Sequence, residues 1–337
     1  MTASSGISSR KSDRVVPQWR VLIGSRSFGQ AFPEHLVELE QAGCRVVPNP
    51  VGRALREQEL LEAIQGCDAI ITGTDELTAR VIAAANRLKT IVKHGVGLET
   101  IDLAAARARG IIVSFTPGTI QDSVADLTMA LLLALARKIV PAHLSTQQGS
   151  WEPLFGMELR DTTLGLVGLG QIGKAVCVRA QAFGMRVLAH DPYPDERFAV
   201  EHEVTLVSLA ELLSASDVVS LHAAAEQVHG TLIGADELRA MKPGALLVNT
   251  ARGRLVDETA LAEALSEGRL GGAGIDAFVE EPPIGSPLLS LDNVVLTPHL
   301  GGRTLGGQRR MGEICIQNCL RALRGQVPLF PVSTSAR

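Results

Sequence analysis

From Trp19 onward, short apolar runs alternate with stretches long enough for helices. The run "RVLIG" (20–24) leads to a helical pattern around 33–42, and "CRVVPN" is followed by a second helix around 57–65. "DAIITG" (68–73) precedes another helix, and "LKTIVKHG" ends in a short glycine-rich loop before the alanine-rich helix "LAAARARG". The Val and Ile residues fall on consecutive rather than alternate positions, so both faces of each strand are expected to be buried. Strands of that kind separated by helices build a parallel sheet covered on both sides. "GIIVSFTPG" closes this series at Pro117-Gly118, and a long helix is expected from near Ile120. A polar segment, "QQGSWEPLFGMELRD", separates it from a second alternation that begins at Thr163. That series runs "TLGLVGLG", "RVLAHD", "DVVSLH", "ALLVNTARG", "GAGIDAF" and "NVVLTPHLGG", and the tail is helical again around 304–325. The pattern predicts an α/β protein with two doubly wound parallel-sheet lobes, residues 17–117 and 118–298; the last helix fits either lobe by pattern alone.

Composition narrows the class. A chain of 337 residues, 46% hydrophobic and 20% charged, is a soluble globular protein too long for one ordinary core. The net charge of −4 is spread along the chain with no basic block, which argues against nucleic acid. The apolar run Met129 to Ala136 is far short of a membrane span. Residues 1–16 are Ser-rich and lack an apolar core, and are expected to be a disordered tail. Five cysteines form no CxxC pair and no Cys/His cluster, so a reducing, cytoplasmic setting and no metal site are expected.

One motif carries a cofactor. Gly168-x-Gly170-x-x-Gly173 follows an apolar run and opens a helical one. In that setting Gly168 permits a tight turn, Gly170 lets backbone approach a pyrophosphate, and Gly173 lets helix and strand pack closely. Gln171 and Ile172 complete the helix start, where free N–H groups and the dipole favour phosphate. Asp191, with Pro192 after it, follows the next strand, 18 positions beyond Gly173. A carboxylate there accepts hydrogen bonds from the ribose 2′-OH and repels a 2′-phosphate, so NAD is expected over NADP. A plain helix–strand turn with a solvent-facing aspartate is the bland alternative.

Three ionisable residues stand at strand or loop ends of the second series: Arg252 after "LLVNTA", Glu281 after "GIDAFVE", and His299 after "NVVLTP". Alone, each could be a surface arginine, a turn glutamate or a core histidine. Together they suit the interconversion of a 2-hydroxy acid and a 2-keto acid. Arginine polarises the carbonyl and holds the carboxylate, histidine exchanges the hydroxyl proton, and the carboxylate fixes the histidine.

With "HGVG", "TPG", "GSW", "LGLVGLGQIG", "LLVNTARGRLVDETAL", "GAGIDAFVEEPP" and "NVVLTPHLGG" in place, the chain resembles the D-2-hydroxyacid dehydrogenases, of the short-form phosphoglycerate dehydrogenase type, from about Val21 to Leu329. The spacings of 29 positions from Arg252 to Glu281 and 18 from Glu281 to His299 also resemble that family's. The resemblance implies a Rossmann NAD domain, 118–298, inserted into a discontinuous flavodoxin-like substrate domain, 17–117 plus 299–331, and a homodimer. It implies Arg252, Glu281 and His299 as the catalytic set. Thr250, Ala251, Asp276 and Gly301 would line the nicotinamide end, and His222 and Ala223 the adenosine side. Two departures stand out: Glu99-Thr100 where Asp-Asn is usual, and Glu226-Gln227 where Thr-Pro is usual.

By the same resemblance, the loop His94-Gly95-Val96-Gly97 cradles the substrate carboxylate with its N–H groups, and Lys93 stands where a second anionic group would be met. The expectation is therefore a small anionic substrate with a distal phosphate, phosphonate or carboxylate, such as 3-phosphoglycerate. The alternatives are a glyoxylate or hydroxypyruvate reductase, with Lys93 merely snorkelling; a phosphorus-acid dehydrogenase; and, outside enzymes, an NADH-sensing corepressor-like scaffold. The chain's end at Arg337 weighs against the scaffold and against a C-terminal regulatory domain.

Overall fold

A computed structural model of the chain describes residues 18–225, 228 and 230–332. The tail expected at 1–16 and the Glu226-Gln227 departure lie outside the described residues. The chain forms two compact units, one made of the residues up to Pro117 together with those from Gln308, the other of Gly118–Gly307.

In the first unit, strands β1 (Trp19–Ile23), β2 (Cys44–Val47), β3 (Ala69–Thr72), β4 (Thr90–Lys93) and β5 (Ile112–Ser114) alternate with helices α1 (Glu34–Gln41), α2 (Glu57–Ala63), α3 (Ala79–Ala84) and α4 (Leu103–Ala108). All strand pairs are parallel, in the order β2-β1-β3-β4-β5. The order turns back beside β1, and ligands of such sheets gather at the carboxyl ends of the strands near that reversal. Every residue of β3 and β4 is buried, as the unbroken Ile/Val runs require. Short polar side chains start the helices: Thr78 accepts the Val81 N–H and Asp102 the Ala105 N–H.

In the second unit come α5 (Gln121–Ala136), α6 (Ile139–Gln147), β6 (Thr163–Val167), α7 (Gln171–Ala182), β7 (Arg186–His190), α8 (Glu196–Glu201), β8 (Thr205–Leu206), α9 (Leu209–Ala215), β9 (Val218–Leu221), α10 (Ala235–Ala240), β10 (Leu246–Asn249), α11 (Glu258–Ser266), β11 (Gly272–Ile275) and β12 (Val294–Leu296). Its seven parallel strands run β12-β11-β10-β9-β6-β7-β8, with the switch point between β6 and β9. Leu131, Leu132, Val176, Cys177 and Ala180 of α5 and α7 share one core with Leu164 and Leu166 of β6. Leu212, Leu238 and Leu261 of α9 to α11 share another with Leu221 and Leu247. Helix α12 (Leu305–Leu323) packs Cys315, Ile316, Cys319 and Leu323 with Val21, Ile23 and Val92, so its body belongs to the five-stranded unit.

The long helix expected from Ile120 is in fact two, because Lys138 takes a left-handed backbone (φ 53°) between α5 and α6. Strand β8 was not foreseen; it is two exposed residues at a sheet edge, too short to leave a pattern. Residues 299–307 fall with the second unit rather than the first. There Asp276 holds the turn after β12, and Ser123 meets Thr304 across 2.6 Å. All five cysteines are buried free thiols. Among the described residues no helix is long and apolar enough to cross a membrane.

Candidate active site

The glycine loop of the second unit is shaped by what its glycines lack. Gly168 has φ +100°, and a Cβ there would sit 2.7 Å from the backbone of His222 and Ala223 as they leave β9. A Cβ on Gly173 would fall 2.2 Å from the Gly168 carbonyl. Gly170 differs, since a Cβ there would meet nothing within 4 Å. Two glycines close the turn and the third leaves its outer side open. Helix α7 starts there with no side-chain cap and no acidic residue in its first turn, so its N-terminal N–H groups and dipole are uncompensated. A dinucleotide pyrophosphate fits this cradle on both shape and charge.

Asp191 stands directly after β7, and its carboxylate accepts the Leu169 N–H at 2.7 Å and the Tyr193 N–H at 2.8 Å. Each oxygen keeps a second lone pair for a ribose hydroxyl. His190 Nδ1 faces the Val207 carbonyl at 3.1 Å, and Arg186 occupies the opposite end of β7. Beside the loop, His222 Nε2 meets Ser220 Oγ at 2.8 Å, while Nδ1 is sealed from solvent without a partner. The residue is half-buried, and burial of the ring pushes its pKa down to about 3.

At the ends of β10, β11 and β12, two further turns are built largely by side chains that no sequence motif marks. Asn249 accepts the Ala251 N–H and donates to the Arg252 carbonyl, fixing the turn that presents Arg252. Thr250 shares a 2.8 Å hydrogen bond with Thr128 of α5. Gly253 lies so close to the Phe278–Val279 backbone that a Cβ would stand 1.9 Å from the Phe278 carbonyl carbon. This contact seats the Arg252 turn against the one that carries Glu281. Glu258 ties that second turn down by accepting from the Val279 N–H and the Ser286 hydroxyl.

His299 Nδ1 stands 2.9 Å from both Glu281 carboxylate oxygens. A carboxylate only accepts, so Nδ1 carries the proton and Nε2 is left for exchange. Burial pushes the Glu281 pKa up, but the His299 hydrogen bond and charge, the Phe278 N–H and the Arg252 charge outweigh it, and the net direction is down. His299 itself sits in the left-handed region (φ 55°), costly for a non-glycine residue. Asp276, only 1% exposed, holds it there. Its carboxylate accepts from Thr297 Oγ1 at 2.6 Å, the Leu300 N–H at 2.7 Å and the Gly301 N–H at 2.9 Å, and its carbonyl accepts the His299 N–H at 3.0 Å.

The Lys93–Gly97 loop belongs to the other unit, at the carboxyl end of β4. Lys93 is 6% exposed, and its ammonium donates to the Gly73 carbonyl. His94 is also buried, with Nδ1 near Ser25 Oγ (3.0 Å) and Ser27 Oγ (3.2 Å). The expected four-amide cradle is smaller than foreseen: the His94 N–H goes to the Thr72 carbonyl and the Gly95 N–H to Thr116 Oγ1. Only the Val96 and Gly97 amides find no acceptor among the described residues. Of the Glu99-Thr100 departure, Glu99 is exposed and Thr100 Oγ1 is buried without a partner.

Residues 129–301 match the family described as D-isomer specific 2-hydroxyacid dehydrogenase, NAD binding domain. The chain is 41% identical over 277 residues to a glyoxylate reductase of Korarchaeum cryptofilum, covering 80% of this chain and 83% of that protein. It is 43% identical over 282 residues to a D-3-phosphoglycerate dehydrogenase of Methanocaldococcus jannaschii, covering 82% of this chain but only 54% of that longer protein. The D-lactate dehydrogenase of Aquifex aeolicus, solved with NAD and lactic acid, superposes with a TM-score of 0.81 at 28% identity, covering 94% of this chain and all of that one. The open glycine cradle, the paired His299 and Glu281 and these likenesses agree, and the chain belongs to the D-isomer-specific, NAD-dependent 2-hydroxyacid dehydrogenases.

Proposed function

We propose that the protein reduces a short 2-keto acid, of the glyoxylate or hydroxypyruvate kind, to the corresponding 2-hydroxy acid, in the D configuration where C2 is a stereocentre. The observation that carries this is Lys93. Its ammonium is buried and bonded to the Gly73 carbonyl of its own unit. With only 6% of the residue exposed, a distal phosphate would have little access to that ammonium. Similarity over most of their length to proteins named glyoxylate reductase supports the same reading.

In this account Gly168, Gly170, Gln171, Ile172 and Gly173 hold the pyrophosphate, and Asp191 the adenosine ribose. His222, Ala223, Thr250 and Ala251 flank the cofactor. When bound, NADH would supply the hydride that, together with a proton, converts the 2-keto acid into the 2-hydroxy acid and leaves NAD+. Arg252 pairs with the acid and polarises its keto oxygen. His299 gives that oxygen a proton from Nε2, and Glu281 keeps Nδ1 protonated and the ring in place. Asp276 holds the His299 turn, and in the other unit the Val96 and Gly97 amides are donors suited to a carboxylate.

NADH oxidation measured with glyoxylate, hydroxypyruvate and 3-phosphohydroxypyruvate tests the substrate class. A higher kcat/KM on the two small acids is expected. A strong preference for the phosphorylated acid would overturn this reading and restore Lys93 as a substrate residue.

The proposal extends to a homodimer. Helix α6 buries none of its residues, and Ile139 and Leu144 are half exposed on it. Trp151 and Phe155 follow at 88% and 95% exposure. With aromatic side chains offering about 150–250 Å² each, Trp151 and Phe155 alone supply roughly half of the ~800 Å² per partner of a standard interface. The double variant W151A/F155A should run as a monomer in sedimentation, and an unchanged mass would refute the dimer surface. Five buried free thiols support a reducing, cytoplasmic setting.

A further inference from the structure

Three hydrogen bonds converge on Gly95 from one residue. The Thr116 hydroxyl accepts the Gly95 N–H at 3.1 Å and donates to the Gly95 carbonyl at 3.0 Å, and the Thr116 N–H donates to the same carbonyl at 3.1 Å. Thr116 is completely buried, so water cannot take over either bond. A hydroxyl has one proton and two lone pairs, so it can fill both roles at once. Gly95 needs such a clamp, because its φ of +146° is one that side-chain-bearing residues rarely adopt and that glycine reaches as one of many options.

On its upstream side the chain is fixed by the His94 N–H on the Thr72 carbonyl. Downstream, Val96 and Gly97 present successive N–H groups that no described residue accepts, the arrangement of a backbone anion nest. With both peptides of Gly95 pinned, Thr116 sets the direction of the Val96 N–H, which shares the peptide of the Gly95 carbonyl, and the Gly97 N–H follows one peptide later. The strand that delivers Thr116 is anchored independently of its side chain. The Phe115 N–H donates to the Phe330 carbonyl, and Asn318 donates to the Phe115 carbonyl.

We infer that Thr116 is a positioning residue for carboxylate recognition, its hydroxyl clamp on Gly95 aiming the Val96 and Gly97 amides at the carboxylate of the acid. The inference rests on the 2-keto acid reading above. It predicts that the hydroxyl, rather than the shape of the side chain, governs affinity for the anion.

Calorimetric titration of oxalate, an unreactive dicarboxylate, into the NADH-saturated full chain tests it, alongside NADH affinity and glyoxylate kinetics for T116V and T116S. In T116V, oxalate should bind about 10- to 100-fold more weakly and KM for glyoxylate should rise alike, the effect of one or two lost buried hydrogen bonds. kcat should change less than KM, NADH affinity should hold, and T116S should keep oxalate affinity near wild type. Unchanged oxalate affinity in T116V overturns the inference, as does T116S failing like T116V. If T116V does not fold, T116A carries the same readout. A wild-type protein that binds oxalate yet reduces no 2-keto acid would sink the proposed function and leave the Thr116 comparison standing. One that binds no oxalate would sink the nest itself.

Discussion

Lowering the pH from 7 to 5 should weaken the unit that carries the Lys93–Gly97 loop, and His94 is the reason. Its ring is 7% exposed, Phe28 meets it edge-on at 5.5 Å, and Nε2 has no partner. Burial first, then the charges of His35 and Lys93, push its pKa from 6.5 down to about 3. In the unfolded chain the ring gains a proton near its ordinary pKa, while the folded chain resists until much lower pH. The unfolded state therefore binds more protons throughout that window, and stability falls as pH drops through it. Above the ordinary histidine pKa the contribution is complete and flat. At 1.36 kcal/mol per pH unit, the step from pH 7 to 5 should remove about 2 kcal/mol. That is a large share of a typical stability of about 5–15 kcal/mol.

Urea unfolding at both pH values measures the loss. In a W151F background Trp19 of β1 is the remaining tryptophan, so its fluorescence reports this unit alone. H94N can keep a contact to Ser25 but has no titrating ring. Wild type should lose about 2 kcal/mol more than H94N over the step. Equal losses would refute the claim that the folded unit keeps His94 neutral.

The cofactor cradle makes two sharper predictions. G170A should melt like wild type, because a Cβ there meets nothing and φ is −73°, yet bind NADH at least about tenfold more weakly because the methyl enters the phosphate space. G173A should instead lose stability, since its Cβ falls 2.2 Å from the Gly168 carbonyl. Intact NADH affinity in G170A would mean that the phosphate lies elsewhere. D191A should narrow the preference for NADH over NADPH and weaken NADH binding by about 1–3 kcal/mol, because the ribose hydroxyl loses its carboxylate acceptor. An unchanged cofactor ratio by fluorescence titration would contradict the ribose assignment.

How far the chain could be read without coordinates differs from residue to residue. The Ile/Val runs and the helices between them give both sheets, because strands buried on both faces leave a continuous signal. The Gly168–Gly173 spacing and the lone Asp191 have few other physical reasons to recur together. What could not be read was the set of side chains that brace one segment against a distant one. Glu258, Asp276 and Thr116 act through hydrogen bonds to backbone 21 to 25 positions away, and such bonds leave no periodic trace. Lys93 shows the same limit. Its place at a strand end was legible, but its bond to the Gly73 carbonyl, 20 positions earlier, was not. Lys138 split a helix that its apolar pattern made continuous, because a single left-handed residue interrupts the backbone without changing hydropathy.

The central claim is that His299, held by Glu281 and Asp276, delivers the proton to a 2-keto acid. It is tested most directly by steady-state NADH oxidation with glyoxylate and hydroxypyruvate, comparing wild type with H299A. The account predicts a drop in kcat of about 10²–10⁴-fold, the usual worth of a general acid, with NADH affinity unchanged because the glycine loop and Asp191 are untouched. H299A turning over at the wild-type rate would contradict it, as would a loss of activity explained wholly by lost NADH binding.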